Sequence, residues 1–187
     1  MGFTRSELEA YRGRTVPDLV GPGVRLLFVG INPGLWTAAT GAHFAHPGNR
    51  FYPAIHAAGL TGHRIKVSGG MAASDRRHFV GIGIGVTNLV QRATGRADEL
   101  SKEELVAGAR RLQVNLAAWE PRAVAILGIG AYRTAFAIPQ ASTGRQSGLL
   151  NGARLFVFGN PSGLNAHETA ATLARSFREA AEAAGLR

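Results

Sequence analysis

Three short runs of β-prone apolar residues, each ending at a glycine, limit what this chain can become. They are residues 24–29 (VRLLFV) before Gly30, 123–127 (AVAIL) before Gly128 and 155–158 (LFVF) before Gly159. Runs that are apolar at nearly every position, not at alternate ones, suit strands buried on both faces of a parallel sheet. Residues 80–89 (VGIGIGVTNL) are a fourth candidate, interrupted by glycines that weaken a strand unless something packs close. Helical patterns lie between. Ser101 and Glu104 form a capping box, Leu105, Ala109, Leu112, Leu116 and Trp119 follow at helical spacing, and Pro121 stops the segment. Asn165 with Glu168 reads as a second such start, with Leu173, Phe177 and Ala181 on one face and Gly185 as the stop. A shorter helix is expected over about residues 50–58, ending at Gly59. This alternation predicts an α/β domain with a mainly parallel sheet. No repeat or linker divides the chain, so a single domain over 1–187 is expected, softest at residues 61–77.

Charge narrows the partner. There are 21 Lys and Arg against 12 Asp and Glu, a net +9 that favours a polyanion, nucleic acid above all. The absence of cysteine excludes disulfides, thiolate nucleophiles, Cys-ligated zinc and iron–sulfur clusters. His43 and His46 have no further ligands at metal-binding spacing, so neither metal nor cofactor is expected. MGFTRSELEAYRGR contains no apolar core, and no stretch reaches the ~18 to 20 apolar residues of a membrane span. A cytosolic monomer with no membrane partner is the expectation.

Two loops should share one crevice. The first run feeds Gly30-Ile31-Asn32-Pro33-Gly34, and the third feeds Gly159-Asn160-Pro161-Ser162-Gly163-Leu164-Asn165. In a parallel sheet both leave the carboxyl edge, where ligands bind. A proline extends the residue before it, so Asn32 and Asn160 should be presented to the crevice. Neither Gly128 to Arg133 nor Gly81 to Val86 completes G-x-G-x-x-G, and no phosphate-loop G-x-x-x-x-G-K-[ST] exists.

With GINPGLWTA (30–38), FAHPGNRFY (44–52), GVTNLV (85–90) and NPSGLNAH (160–167) in that order, the sequence resembles the mismatch-specific uracil/thymine DNA glycosylases of the uracil-DNA glycosylase superfamily. The likeness runs over about residues 24–180. It implies a three-layer α/β/α sandwich on a mainly parallel four-stranded sheet, and hydrolysis of the N-glycosidic bond of a damaged or mispaired base, leaving an abasic site. It also implies base flipping, since a stacked base cannot reach a pocket on a sheet edge.

The resemblance implies residue roles as well. Asn32 matches the water-positioning asparagine; an amide orients a water but scarcely deprotonates it, and a carboxylate there should be faster. Backbone N–H groups around Ile31 would stabilise developing charge. Phe44 matches the aromatic that stacks on the extruded base, and Thr37 and Ala38 the small residues of the pocket wall. His43 is expected to bond the base or a phosphate. Asn88 stands where an amide can pair with the N3–O4 edge of uracil, and Asn160 where faster relatives carry a histidine for the leaving base. Leu164 matches the wedge that fills the vacated stack, flanked by Gly163 and Asn165, with His167 beyond. Arg50, Ser162 and the start of the C-terminal helix are expected phosphate contacts. Asp75, Asp98 and Glu99 are acids that could assist. Neither lysine, Lys66 or Lys102, lies in these segments, so no Schiff-base chemistry is expected. The alternative is a noncatalytic binder of mispaired or abasic DNA; a generic enzyme for small phosphorylated ligands explains the loops but neither the charge nor Leu164.

Overall fold

All residues of β1 (Leu26–Gly30), β2 (Ile84–Asn88) and β3 (Ala123–Leu127) are buried, as continuous apolar runs require. These three belong to one sheet, completed by β4 (Gly144–Leu150) and β5 (Ala153–Phe158), in the computed structural model, which describes residues 2–186. The order is β2-β1-β3-β5-β4, parallel throughout except for β4, which runs antiparallel to β5 at the edge. The expected four parallel strands are present, and the strand count rises to five. The added strand has no apolar run because its faces are largely exposed. Asn151 and Gly152 turn it back onto β5 with φ of 48° and 82°, as a two-residue hairpin loop needs.

Among the described residues seven α-helices accompany the sheet: α1 (Arg5–Glu9), α2 (Leu35–Thr40), α3 (Phe51–Ala57), α4 (Ala73–Gly81), α5 (Lys102–Trp119), α6 (Ile129–Ala135) and α7 (Ala170–Ala183). Successive strand residues point to opposite faces, so β1 feeds two cores. Phe28 packs with Phe51 of α3 and Phe177 of α7, ring centroids 5.1 and 4.8 Å away. Leu27 and Val29 pack beneath Leu112 and Leu116 of α5 and Tyr132 of α6. The result is a three-layer α/β/α sandwich.

Three local expectations are corrected. The fourth strand candidate is a strand only over Ile84–Asn88, because residues up to Gly81 complete α4 and Gly83 turns with φ of 86°. That helix also takes in residues 73–77 of the stretch expected to be soft. The last helix starts at Thr169, not Asn165: Thr169 Oγ1 accepts from the Thr172 N–H, while Asn165 is committed to the loop before it. Capping at Ser101 with Glu104 is as expected, and Arg92 reinforces it by pairing with Glu104, whose carboxyl is held down at about 2.

The outer edge of β2 is covered. Leu19 exchanges both backbone hydrogen bonds with Val86, and further along Gly13 N–H donates to Ala93 O and Ala93 N–H to Arg14 O. The N-terminal segment thus runs antiparallel beside β2 and its outlet, removing an open edge.

Candidate active site

At the carboxyl ends of the parallel strands the two Asn-Pro loops and the end of β2 surround a cavity of about 820 Å³. Ile31, Asn32, Thr37, His43, Phe44, Asn88, Asn160, Ser162, Gly163, Leu164 and Asn165 all line it; Ala38, Arg50 and His167 do not.

The orientation of Asn32 is fixed by its partners. Its Nδ2 donates to Thr94 Oγ1 at 2.7 Å, Arg92 O at 3.0 Å and Pro33 O at 3.1 Å. Thr94 gives its own hydroxyl proton to Arg96 O at 2.6 Å, so its oxygen is an acceptor for Asn32. Three acceptors around one terminal atom require that atom to be nitrogen. The Asn32 carbonyl oxygen is therefore left for the cavity. Thr94, fully buried and 62 residues away, is a site residue that no motif marks.

Asn88 is set by a similar chain. The Pro17 carbonyl can only accept, so His43 Nε2, 3.0 Å away, carries the ring proton. His43 Nδ1 then accepts, and the Asn88 atom 3.3 Å from it is Nδ2. That leaves Asn88 Oδ1 at the end of β1, where a Cβ on Gly30 would lie 2.5 Å from it and 3.3 Å from the Phe44 ring. Gly30 is glycine because the pocket floor passes over it. Both ring nitrogens of His43 are engaged, so it supports Asn88 instead of being free for a base or phosphate.

Phe44 has φ of 56°, a left-handed conformation that costs a bulky residue ~1–3 kcal/mol and is held here by packing. Its ring stacks on Phe51 with centroids 4.2 Å apart, while the next residue's N–H reaches Thr37 Oγ1.

The second loop is braced internally. Asn160 Oδ1 accepts from Ser162 N–H at 2.9 Å, which directs its amide nitrogen elsewhere. Asn165 Nδ2 donates to Asn160 O and its Oδ1 accepts from His167 N–H, with His167 itself exposed. Arg50, expected on phosphate, donates instead to Ser162 O at 2.8 Å and Asn165 O at 3.0 Å. A Cβ on Gly163 would meet Gly48 O at 2.8 Å. At the tip Leu164 stands 88% exposed, an unusual place for leucine. The start of α7 lies outside the cavity lining.

Of the three acids, Asp98 alone lines the cavity, paired with Arg96 at 2.6 Å. Asp75 pairs with His63, and Glu99 holds Arg12 and the Arg96 N–H. Among the described residues no group of three or more His, Asp or Glu is arranged to hold a metal ion.

Burial holds the His43 pKa below the ordinary 6.5, against the pull of the Pro17 carbonyl. A histidine with a depressed folded-state value contributes stability above its unfolded pKa and loses it as the pH falls below. Protonation would also place a hydrogen on Nδ1 facing the Asn88 amide. Stability should stay level above about pH 6.5 and decline below it, and activity should decline only at the lower pH where the folded-state ring takes up a proton, in a pH series of melting and rate. Acid-insensitive activity with declining stability would separate His43 from the site.

An aromatic floor beside amide groups suits a planar, hydrogen-bonding ring, so fold and cavity make this an α/β protein with a pocket of that character at its sheet edge. The chain belongs to the Uracil DNA glycosylase superfamily, whose family model matches residues 17–184. Membership indicates a DNA glycosylase, a hydrolase acting on DNA. A solution structure of a candidate uracil DNA glycosylase from Methanosarcina acetivorans shares the fold, with a TM-score of 0.59 at 16% identity over 90% of this chain and 97% of that one.

Proposed function

We propose that the protein is a monofunctional, mismatch-specific DNA glycosylase. Its substrates are G·U first, with G·T and ethenocytosine in the same class, and its product is an abasic site. The observation that carries this reading is the Asn32 amide, held by three acceptors so that its carbonyl oxygen faces the cavity. A water accepted there can add to C1′ of an extruded nucleotide as the C1′–N1 bond breaks and the electron pair leaves with the base. The water gives up its proton to solvent or to the departing base. An amide orients such a water without taking its proton, so the reaction depends on an oxocarbenium-like sugar and a stabilised leaving group. The Asn160 amide nitrogen, with no hydrogen-bond partner among the described residues, supports the second need. Neither lysine lines the cavity, in keeping with hydrolysis without a Schiff base.

Mispaired bases cost less to unstack, which favours them. Leu164 supports a wedge function: Leu164→Ala should slow excision from duplexes ten- to a hundredfold, matching the ~1.5–3 kcal/mol of a buried leucine, with excision from single strands unchanged. Equal loss on both substrates would remove the wedge. The function itself is tested on labelled oligonucleotides carrying uracil, thymine or ethenocytosine opposite each base. Alkali-sensitive breaks at the lesion, strongest for G·U, are expected. Binding to mispaired or abasic duplex with every base left intact would instead make the protein a noncatalytic binder.

A further inference from the structure

The supports of Asn32 and Asn88 both lead back to the N-terminal segment, whose first part precedes the residues that the superfamily model matches. Arg12 grips Glu9 through Nε at 2.8 Å and Glu99 through Nη1. The other oxygen of Glu99 accepts from Arg96 N–H at 2.7 Å, and Arg96 O accepts from Thr94, which holds Asn32. Gly13 and Arg14 pair with Ala93, the residue before Thr94. A few residues on, Pro17 O holds His43, and Asp18 Oδ1 accepts from Thr87 Oγ1 at 2.7 Å and Gln91 Nε2 at 3.2 Å on either side of Asn88. Leu8 of α1 lines the cavity.

We propose that residues 12–18 are a positioning strap for the two asparagines, with Arg12 the side chain that fixes the turn carrying Thr94; this rests on the glycosylase reading above. Arg12 touches neither Asn32 nor the substrate cavity. It acts through Glu99 and the Arg96 backbone, whose carbonyl fixes the Thr94 hydroxyl. Misplacing a positioning group by a fraction of an ångström is enough to slow a reaction whose water is only oriented.

Arg12→Ala is tested against Arg5→Ala, which removes the same charge from the neighbouring helix. In single-turnover and steady-state assays on a G·U duplex, Arg12→Ala should lower kcat about five- to twentyfold with KM within twofold. Arg12→Lys should recover part of the loss, and Arg5→Ala should match the wild type. The melting midpoint should move little, since exposed ion pairs contribute little to stability. Combining Arg12→Ala with Thr94→Ala should cost no more than Thr94→Ala alone, because both act through one chain of bonds. Independently of catalysis, amide exchange at Arg96 should quicken at least tenfold in Arg12→Ala. An unchanged kcat, or a rise confined to KM as for a phosphate contact, overturns the proposal. Should the wild-type protein release no base, the glycosylase reading falls, and exchange still decides the strap: faster at Arg96 upholds it, unchanged overturns it.

Discussion

Asn32→Ala is expected to slow base release by about 10²–10³-fold, the range for losing one preorganised group at a reacting centre, with duplex affinity within about twofold. The side chain is half-buried and its removal takes away the amide oxygen that its three acceptors turn toward the cavity, while the exposed Leu164 tip stays in place. Single-turnover cleavage and gel-shift titration on the same duplex measure the two quantities. Parallel losses of binding and cleavage would sink the assigned role. Asn32→Asp gives a sharper test. From sequence a carboxylate here should be faster, but the geometry opposes it: one carboxylate oxygen would face Pro33 O and Arg92 O with no proton to offer. No gain over wild type is expected, and a large gain would show that the cage around position 32 can rearrange.

Gly108→Ala should lower stability although it places the best helix former inside α5. Alanine gains ~1 kcal/mol of helix propensity over glycine. Its Cβ would lie 2.2 Å from Leu89 O and 2.8 Å from Leu89 C, both backbone atoms that cannot swing aside. Overpacking of this kind costs ~1–3 kcal/mol, toward the upper end where backbone must move, so the net effect is a loss of up to about 2 kcal/mol. At roughly 2–4 °C per kcal/mol for a chain of this size, Tm should fall by several degrees. Activity should fall too, because Leu89 follows Asn88 and Arg111 Nη2 binds the carbonyls of both. A raised Tm in thermal denaturation would refute the close contact.

The parallel strands and the two long helices were legible because burial on both sheet faces, and on one helix face, leaves an unbroken or periodic apolar record. β4 left none, since its exposed faces carry Arg145, Gln146 and Ser147; the Asn151-Gly152 pair was its readable signal. Helices α1, α2, α4 and α6 are five to nine residues long and depend on docking, not on their own periodicity. The residues that gather at the cavity were found by motif, yet their supports were not. Thr94 is one threonine in a coil, and nothing local says that it meets Asn32. Arg50 looked like a phosphate ligand because a free arginine and one bonded to loop carbonyls read alike. Asn165 looked like a helix cap for the same reason: its side chain serves the turn it belongs to.

The bracing of the Leu164 loop by Arg50, Gly48 and its own asparagines bears on how a lesion would be located. If the proposed wedge role holds, a tip that is stiff before contact would lose little freedom on entering a duplex and would press on each step it met. Firmly paired steps resist, and weak ones yield. Discrimination would then begin mechanically, in the compliance of the double helix, before any base reaches an amide.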